Sequence, residues 1–167
     1  MPRLILLRHA SAERAGPGES DHDRALTKGG KKEATAAGQV LGQRGEKIDL
    51  VLSSDSRRTR DTWKGVAAEI DAKPDVRFLR SMFESNDYLP TLKSEGRKAG
   101  SVLLIGHNPA MHGTAVEIAA SLSGRDGARL RSGFPKAALA IFDFDGEWKT
   151  LRPGQMRLEA FIEPEEY

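Results

Sequence analysis

The sequence contains no cysteine, no long apolar run and almost no surplus of charge. The absence of cysteine from its 167 residues excludes disulfides, thiolate zinc sites and a cysteine nucleophile, and it fits a reducing cytoplasm. No apolar run approaches the roughly 18 residues that a membrane-spanning helix needs. Charged residues interrupt the N-terminal segment too early for a signal peptide. We therefore expect a cytoplasmic protein with no membrane or export signal.

The charge balance also limits the possible partners. The chain has 26 basic and 24 acidic residues and a net charge of +2. A dedicated nucleic-acid binder clusters its cations, so this balance argues against nucleic acid as a partner. No internal repeat, low-complexity segment or linker divides the sequence, and its 38% hydrophobic residues are typical of a folded domain. We expect residues 1–167 to form a single domain.

Three short apolar runs indicate the fold class. They cover residues 4–7, 50–52 and 102–105, and each is bounded by polar residues. Such runs are typical of strands that are buried on both faces. Apolar residues at helical spacing over residues 34–41, 63–70 and 111–122 predict helices between and after them, the first beginning at an N-cap at Thr27. The pattern predicts an α/β fold, a three-layer α/β/α sandwich with a mainly parallel central sheet.

The C-terminal third has a different pattern. Residues 137–144 are apolar and β-prone, Asp145-Gly146 is a hairpin signal, and residues 147–151 are predicted to be the returning strand of an antiparallel hairpin at one sheet edge. The acidic residues 159–167 are expected to be peripheral. Residues 10–24 show no periodicity and predict a long loop, and long loops after a central strand tend to be functional.

Polar residues follow each of the three predicted strands. They are Arg8-His9, Ser53-Ser54 with Arg57 and Arg58, and Gly106-His107-Asn108. Because ligands of open α/β sheets bind at the carboxyl ends of the strands, these residues are expected to line one positively charged crevice. An Arg-His pair after a strand is, taken alone, more often a surface or capping pair. The three segments together favour a functional site.

The helices that follow these strand ends point to an anionic ligand. Asn108 is predicted to be an N-cap with Pro109 at the first helical position, and Ser54 or Asp55 to cap the helix that carries Trp63. Helix N-termini favour anions, and the fork of an arginine matches phosphate oxygens. We therefore expect a phosphoryl ligand. The remaining side chains of interest are expected to be structural or solvated: His22, His112, Trp63 and Trp148.

These motifs resemble those of a known family. Leu7-Arg8-His9-Ala10 is similar to the Arg-His-Gly signature of the histidine phosphatase (phosphoglycerate mutase-like) superfamily, with alanine in place of the glycine. Ser54, Arg58 and Thr62 match its Ser-x-x-x-Arg-x-x-x-Thr pattern, although Asp55 stands where proline is common. Gly106-His107-Asn108 matches its second-histidine motif.

The resemblance extends to the short, SixA-type phosphohistidine phosphatases and covers most of the chain. Arg24-x-Leu26-Thr27-x-x-Gly30 looks like the stretch before their first helix, and residues 134–138 resemble the segment before their late strand. The family implies a phosphoglycerate mutase-like fold and a metal-independent phosphatase without a cofactor.

The resemblance also implies roles for individual residues. His9 would attack phosphorus and form a transient phosphohistidine, and Arg8, Arg58 and His107 would bind the phosphoryl oxygens. The remaining substrate contacts implied by the motifs are Ser54 and Asn108. Arg24 would either reach the phosphate or be solvated.

The sequence specifies the general acid and the substrate less closely than it specifies the phosphate-binding residues. Glu84 stands where the resemblance places the family's general acid, and Asp87 is the second candidate. The alternative interpretation is that Glu84 is an exposed loop residue without a catalytic role. Residues 71–100 are the only segment that could form a lid over the pocket, so we expect the pocket to be open. We predict a phosphatase for phosphohistidine on a protein such as a histidine phosphotransfer domain. The alternatives are a small-molecule phosphate monoesterase that uses Glu84 and a phosphate-binding module without turnover.

Overall fold

The three apolar runs form neighbouring strands of one sheet in the computed structural model, which describes residues 1–167. The six strands are β1 (Arg3–Arg8), β2 (Leu50–Ser54), β3 (Asp75–Leu79), β4 (Ser101–Gly106), β5 (Leu139–Asp143) and β6 (Arg157–Ile162). Their order across the sheet is β3-β2-β4-β1-β5-β6. The first four strands run parallel, and β5 pairs antiparallel with both β1 and β6. The predicted mainly parallel sheet with a C-terminal antiparallel pair is confirmed.

Helices cover both faces of the sheet. The six helices are α1 (Lys28–Gln43), α2 (Arg57–Ala67), α3 (Arg80–Glu84), α4 (Leu89–Glu95), α5 (Ala110–Ile118) and α6 (Gly124–Ser132). Buried side chains of α1 and α2 form one apolar cluster with the sheet, and those of the other four helices form a second cluster on the opposite face. Successive strand residues point to opposite faces, so Leu4 and Leu6 join one cluster while Ile5 and Leu7 join the other. The predicted three-layer sandwich is confirmed.

The N-terminus of α1 is as predicted. The Thr27 hydroxyl accepts a hydrogen bond from the Gly30 N–H at 2.9 Å and caps the helix. The cap of α2 is Ser56 and not Ser54 or Asp55, because Ser54 still belongs to β2. The chain therefore needs two further residues to turn from the strand into the helix.

The start of α5 also differs from the prediction. The helix begins at Ala110 with Pro109 at the N-cap, one residue later than expected. The Asn108 side chain still caps it, since its Oδ1 accepts a hydrogen bond from the His112 N–H at 3.2 Å.

The predicted returning strand over residues 147–151 is wrong. Residues 148–150 form a 3-10 turn, because Trp148 is drawn into the core, where it is 1% exposed and its Nε1 donates to the Ala99 carbonyl at 2.7 Å. The strand that pairs with β5 is β6, ten residues nearer the C-terminus than Glu147. Residues 159–162 thus belong to the sheet, and the expectation that residues 159–167 are peripheral is also wrong.

Most of residues 71–100, the segment that could have formed a lid, packs into the fold. Residues 71–100 contain the edge strand β3 and the helices α3 and α4. Met82 and Leu92 of these helices are fully buried in the apolar core. The longest helix, α1, has 16 residues, and none of the helices combines the length and apolarity of a membrane span.

Candidate active site

The strand order brings the predicted site residues to one edge of the sheet. β4 lies between β2 and β1, so the carboxyl ends of the three strands are adjacent. Arg8 pairs in register with Gly106, and the His9 N–H donates to the Gly106 carbonyl at 3.0 Å. His107 therefore follows β4 at the level where His9 follows β1.

His9 is a buried, neutral imidazole. Its side chain is held in one orientation by a hydrogen bond from Nδ1 to the Ala10 carbonyl at 2.8 Å. A carbonyl oxygen can only accept, so Nδ1 carries the proton and Nε2 keeps its lone pair. Burial, followed by the proximity of His107, Arg58 and Arg8, lowers the pKa of His9 to about 3, against the opposing effect of the Ala10 carbonyl. This histidine has the protonation state of a nucleophile at neutral pH.

His107 is the second buried imidazole of the site. Its ring centroid lies 5.2 Å from that of His9, and burial, together with the charge of Arg58, lowers its pKa to about 4. The Ser54 hydroxyl lies 2.8 Å from Nε2 and also accepts a hydrogen bond from the Ser56 N–H at 3.4 Å. In the tautomer in which Ser54 donates its proton to Nε2, the proton of His107 lies on Nδ1. Nδ1 is buried and has no hydrogen-bond partner in the protein.

The two lowered pKa values make the stability depend on pH. Between about pH 6.5 and the folded-state pKa values of about 3 and 4, the unfolded chain binds more protons than the folded chain. The free energy of unfolding should therefore fall as the pH is lowered through this window. We expect the melting temperature to decrease from about pH 7 to about pH 5, and to decrease less in His9→Gln. An equal decrease in both proteins would contradict this prediction.

The main chain around His107 is supported by Tyr88. The Tyr88 hydroxyl accepts a hydrogen bond from the His107 N–H at 2.9 Å, and the side chain is fully buried. A Cβ atom on Gly106 would overlap this hydroxyl, so glycine is required at the end of β4. Tyr88 thereby fixes the turn that presents His107.

Two arginines supply the positive charge of the site. Arg8 donates from Nη1 to the Phe134 carbonyl at 2.9 Å and forms no ion pair with a carboxylate. Arg58 is 6% exposed, and its Nη1 donates to the Asp21 carbonyl at 2.8 Å. Burial and then the charge of Arg58 lower the pKa of Arg8, but a guanidinium remains protonated in proteins. The site therefore carries one buried cation, Arg58, and one partly buried cation, Arg8.

Thr62 connects the strand that bears His9 to the helix that bears Arg58. Its Oγ1 accepts a hydrogen bond from the Ala10 N–H at 3.1 Å and donates to the Arg58 carbonyl at 2.7 Å. The third residue of the Ser-x-x-x-Arg-x-x-x-Thr pattern thus joins the residue after His9 to the first turn of α2.

Three buried side-chain nitrogen atoms of the site have no partner in the protein. They are Arg8 Nε, Arg58 Nε and His107 Nδ1, and no other buried side-chain nitrogen or oxygen lacks a partner. Buried polar groups are almost always hydrogen-bonded, so two unpaired guanidinium N–H donors and an unpaired imidazole nitrogen beside His9 indicate a site for an oxyanion. No group of three or more His, Asp or Glu side chains is placed to hold a metal ion.

The other predicted residues occupy different positions. Asn108 Nδ2 donates at 3.1 Å to the Phe134 carbonyl that Arg8 also binds, so it lies at the edge of the site. Arg24 contacts Asp21 through Nη1 at 3.0 Å. Ser54 contacts His107, as described above.

Neither candidate for the general acid forms a hydrogen bond with Arg8, Arg58 or His107. The Glu84 side chain is 65% exposed and pairs with Arg80 at 3.3 Å. Asp87 accepts a hydrogen bond from the Leu89 N–H at 2.9 Å at the start of α4. On α3, Phe83 is the residue that faces the site, with its ring edge-on to His107 at 5.7 Å between centroids.

Sequence analysis missed three residues of the site: Asp21, Phe83 and Tyr88. Asp21 stands three residues before Arg24, a spacing that could have indicated the ion pair between them. The contact of Tyr88 with His107 spans 19 residues, and no local pattern signals it. His22 lies at the rim, where its Nε2 is 2.8 Å from Asp55 Oδ1.

The N-terminal half of the chain matches a family model. Residues 4–81 match the histidine phosphatase superfamily (branch 1). An uncharacterized chloroplastic protein of Arabidopsis thaliana is 31% identical over an alignment that covers 98% of this chain and 78% of that protein.

Solved structures resemble the chain over its whole length. A proposed phosphohistidine phosphatase SixA from Nakamurella multipartitia is 31% identical with a TM-score of 0.83, and the match covers 98% of this chain and 96% of that one. A proposed phosphohistidine phosphatase SixA from Agrobacterium tumefaciens is 34% identical with a TM-score of 0.79 and 97% coverage of both chains.

Proposed function

The chain belongs to the histidine phosphatase superfamily and is a SixA-type phosphatase, and from this premise we propose that it removes the phosphoryl group from phosphohistidine on another protein. The observation that carries the proposal is the cluster at the end of β1 and β4. There a neutral, buried His9 lies beside three buried side-chain nitrogen atoms that have no partner in the protein.

His9 is the nucleophile in this proposal. Its Nε2 lone pair attacks phosphorus in line, the bond from phosphorus to the leaving nitrogen breaks, and the phosphoryl group is held on Nε2. Water then attacks phosphorus and releases inorganic phosphate, which restores neutral His9. The bond from Nδ1 to the Ala10 carbonyl supports this step, because it holds the ring while charge develops on it.

Arg8, Arg58 and His107 bind the equatorial oxygens. Their unpartnered donors are fixed in place before the phosphoryl group arrives, so little reorganisation is needed as charge develops in the transition state. Ser54 acts through His107, since donation of its hydroxyl proton to Nε2 places the imidazole proton on Nδ1, the nitrogen that has no partner in the protein. Asn108 orders the segment at Phe134 against which Arg8 is held.

The open surroundings of the site favour a protein substrate. Of five surface cavities, the largest has a volume of about 750 Å³ and is lined by residues 42, 45–49 and 69–73, and none of the five is lined by His9. Residues 71–100 are engaged in the body of the fold, as described above. A phosphorylated side chain on a partner surface can therefore approach without the opening of a lid.

The reactivity of an imidazole leaving group also agrees with the position of Glu84, the candidate general acid. An alkoxide leaving group needs a strong proton donor, whereas imidazole is a better leaving group and makes less demand on an acid. Glu84 is exposed and paired with Arg80, which supports a reaction that does not depend on it.

The test compares substrates on the purified protein. We expect the kcat/KM for a histidine phosphotransfer domain phosphorylated on histidine to exceed that for p-nitrophenyl phosphate and phosphoserine by about tenfold or more, because a protein substrate adds binding energy outside the phosphoryl group. Rapid hydrolysis of the esters with no effect on the phosphorylated domain would overturn the proposal.

Glu84→Gln supplies the matched variant for this comparison. We expect it to leave the rate on the phosphorylated domain unchanged. A large loss that is confined to esters with poor leaving groups would instead favour the small-molecule monoesterase with Glu84 as general acid.

Catalysis in this proposal uses only side chains and water. Treatment with EDTA followed by removal of the chelator should leave kcat unchanged on either class of substrate, because the arginines and His107 supply the positive charge that a metal ion supplies in other phosphatases. The measurement is the rate before and after chelation and after addition of Mg²⁺. A strict requirement for added Mg²⁺ would refute this mechanism.

A further inference from the structure

Asp21 lies at the mouth of the oxyanion site and bridges two arginines. Its Oδ2 accepts a hydrogen bond from Arg58 Nη2 at 3.2 Å, and its Oδ1 accepts one from Arg24 Nη1 at 3.0 Å. The Asp21 side chain is 59% exposed, whereas that of Arg58 is 7% exposed. A carboxylate therefore covers the solvent side of a guanidinium that the proposed function assigns to the phosphoryl group.

The carboxylate is ionised at neutral pH. Desolvation opposes ionisation, but the hydrogen bond from Arg24 and the charge of Arg58 hold the pKa of Asp21 below its usual value. A fixed negative charge at this place repels an approaching phosphate and reduces the attraction of both arginines for it.

The segment around Asp21 is held in place without its carboxylate. The Asp21 main-chain carbonyl accepts a hydrogen bond from Arg58 Nη1 at 2.8 Å. The next residue, His22, lies with Nε2 at 2.8 Å from Asp55 Oδ1 and with its ring edge-on to Phe83. The Asp21 side chain can therefore turn away while the main chain and Arg58 keep their positions.

We propose that Asp21 is a specificity-determining residue, an internal anion that competes with the phosphoryl group for Arg58 and Arg24. This inference rests on the proposed function, because it assumes that Arg58 binds the phosphoryl oxygens. A phosphoryl group must displace the carboxylate from its two arginines in order to bind, and the carboxylate returns as inorganic phosphate leaves.

The competition discriminates between ligands. Inorganic phosphate has only its own charge and hydrogen bonds with which to displace Asp21. A phosphorylated protein also contacts the surface around the site, and that binding energy can offset the displacement. Asp21 thus weakens the binding of free phosphate, which is also the product, more than it weakens the binding of a phosphorylated protein.

The test uses Asp21→Asn, which removes the charge and keeps the size of the side chain. Titration calorimetry with inorganic phosphate on the full chain should give a Kd about tenfold lower than that of the wild type, as expected for removal of one charge several ångströms from the anion. The Ki of phosphate against hydrolysis of p-nitrophenyl phosphate should fall by the same factor. The KM for a phosphorylated phosphotransfer domain should change less.

Asp23→Asn is the matched control. Asp23 lies on the same turn, is 68% exposed and accepts a hydrogen bond from the Ser20 hydroxyl, but it forms no ion pair with an arginine. We expect its Kd for phosphate to stay within about twofold of the wild type, since an exposed charge is screened by solvent.

Two results would overturn the inference. An unchanged or higher Kd in Asp21→Asn would show that the carboxylate only orients Arg58, and equal tightening in both variants would show a general effect of net charge. If the wild type does not bind phosphate at all, the proposed function fails together with the inference. If the wild type binds phosphate but Asp21→Asn does not bind it more tightly, only the inference fails.

Discussion

His9→Gln is expected to lower kcat by on the order of 10⁴-fold or more on every phosphorylated substrate. Glutamine has nearly the length of histidine and can occupy the same pocket, but its amide nitrogen has no lone pair available for attack on phosphorus. The reaction then loses its covalent intermediate and must proceed by direct attack of water. Oxyanion binding by Arg8, Arg58 and His107 remains, so the variant should still bind inorganic phosphate.

The covalent intermediate provides a second measurement for His9. Rapid quenching with a ³²P-labelled substrate should give an acid-labile, base-stable label on the wild type and none on His9→Gln. His112→Gln is the control, because His112 lies on α5 with its Nε2 bonded to the Leu130 carbonyl at 2.7 Å and takes no part in the proposed reaction. Turnover by His9→Gln within tenfold of the wild type, or a label on His107, would assign the nucleophile elsewhere.

Arg58→Lys is expected to lower kcat/KM by about 10²–10³ although the positive charge is kept. Lysine has a single ammonium group, so it cannot hold the Asp21 main-chain carbonyl and at the same time offer a fixed, planar set of donors to the phosphoryl oxygens. The buried Nε donor of Arg58, which has no partner in the protein, is lost outright.

The neighbouring Arg57 gives the control for this substitution. Its side chain is 59% exposed and lies 3.8 Å from Asp61 on the outer face of α2. Arg57→Lys should therefore change kcat/KM by less than about twofold, since exposed ion pairs contribute little. Similar losses in the two variants would mean that α2 contributes only general positive charge.

The buried strands and the residues that follow them could be predicted from the sequence. Runs such as residues 102–105 are apolar on both faces, and only the middle of a covered sheet buries both faces of a strand. The polar residues that follow at Arg8 and His107 then meet because parallel strands end at the same edge. The order of the strands across the sheet places Arg8 beside Gly106. That order depends on tertiary packing, which the hydrophobic pattern of the sequence does not determine.

The edges of the sheet could not be predicted in the same way. The strand β3 is only partly buried and contains Arg77, so its pattern is not that of a covered strand. Asp145-Gly146 is a strong local hairpin signal, but burial of Trp148 outweighs it and draws the chain into the core. Local turn preference amounts to about 1 kcal/mol or less, whereas burial of a large aromatic side chain stabilises by several times as much.

The contacts that the long loop makes with the site could not be predicted from the sequence either. The sequence predicts a loop over residues 10–24, but the contact of Asp21 with Arg58 joins residues 37 positions apart. The position of Glu84 depends on which face of α3 meets the core, and burial of Met82 turns Phe83 toward His107 and leaves Glu84 exposed. Such choices are made by tertiary packing.

The hydrogen bonds of Thr62 bear on the motions that the site can tolerate. Because Thr62 ties the Ala10 N–H to the Arg58 carbonyl, the residues around His9 and the first turn of α2 move as one rigid body. Side chains of the neighbouring loop, such as the Asp21 carboxylate, can then turn aside for a bulky partner while the separation of His9 and Arg58 stays constant. Flexibility for recognition and rigidity for chemistry are thereby assigned to different parts of the chain.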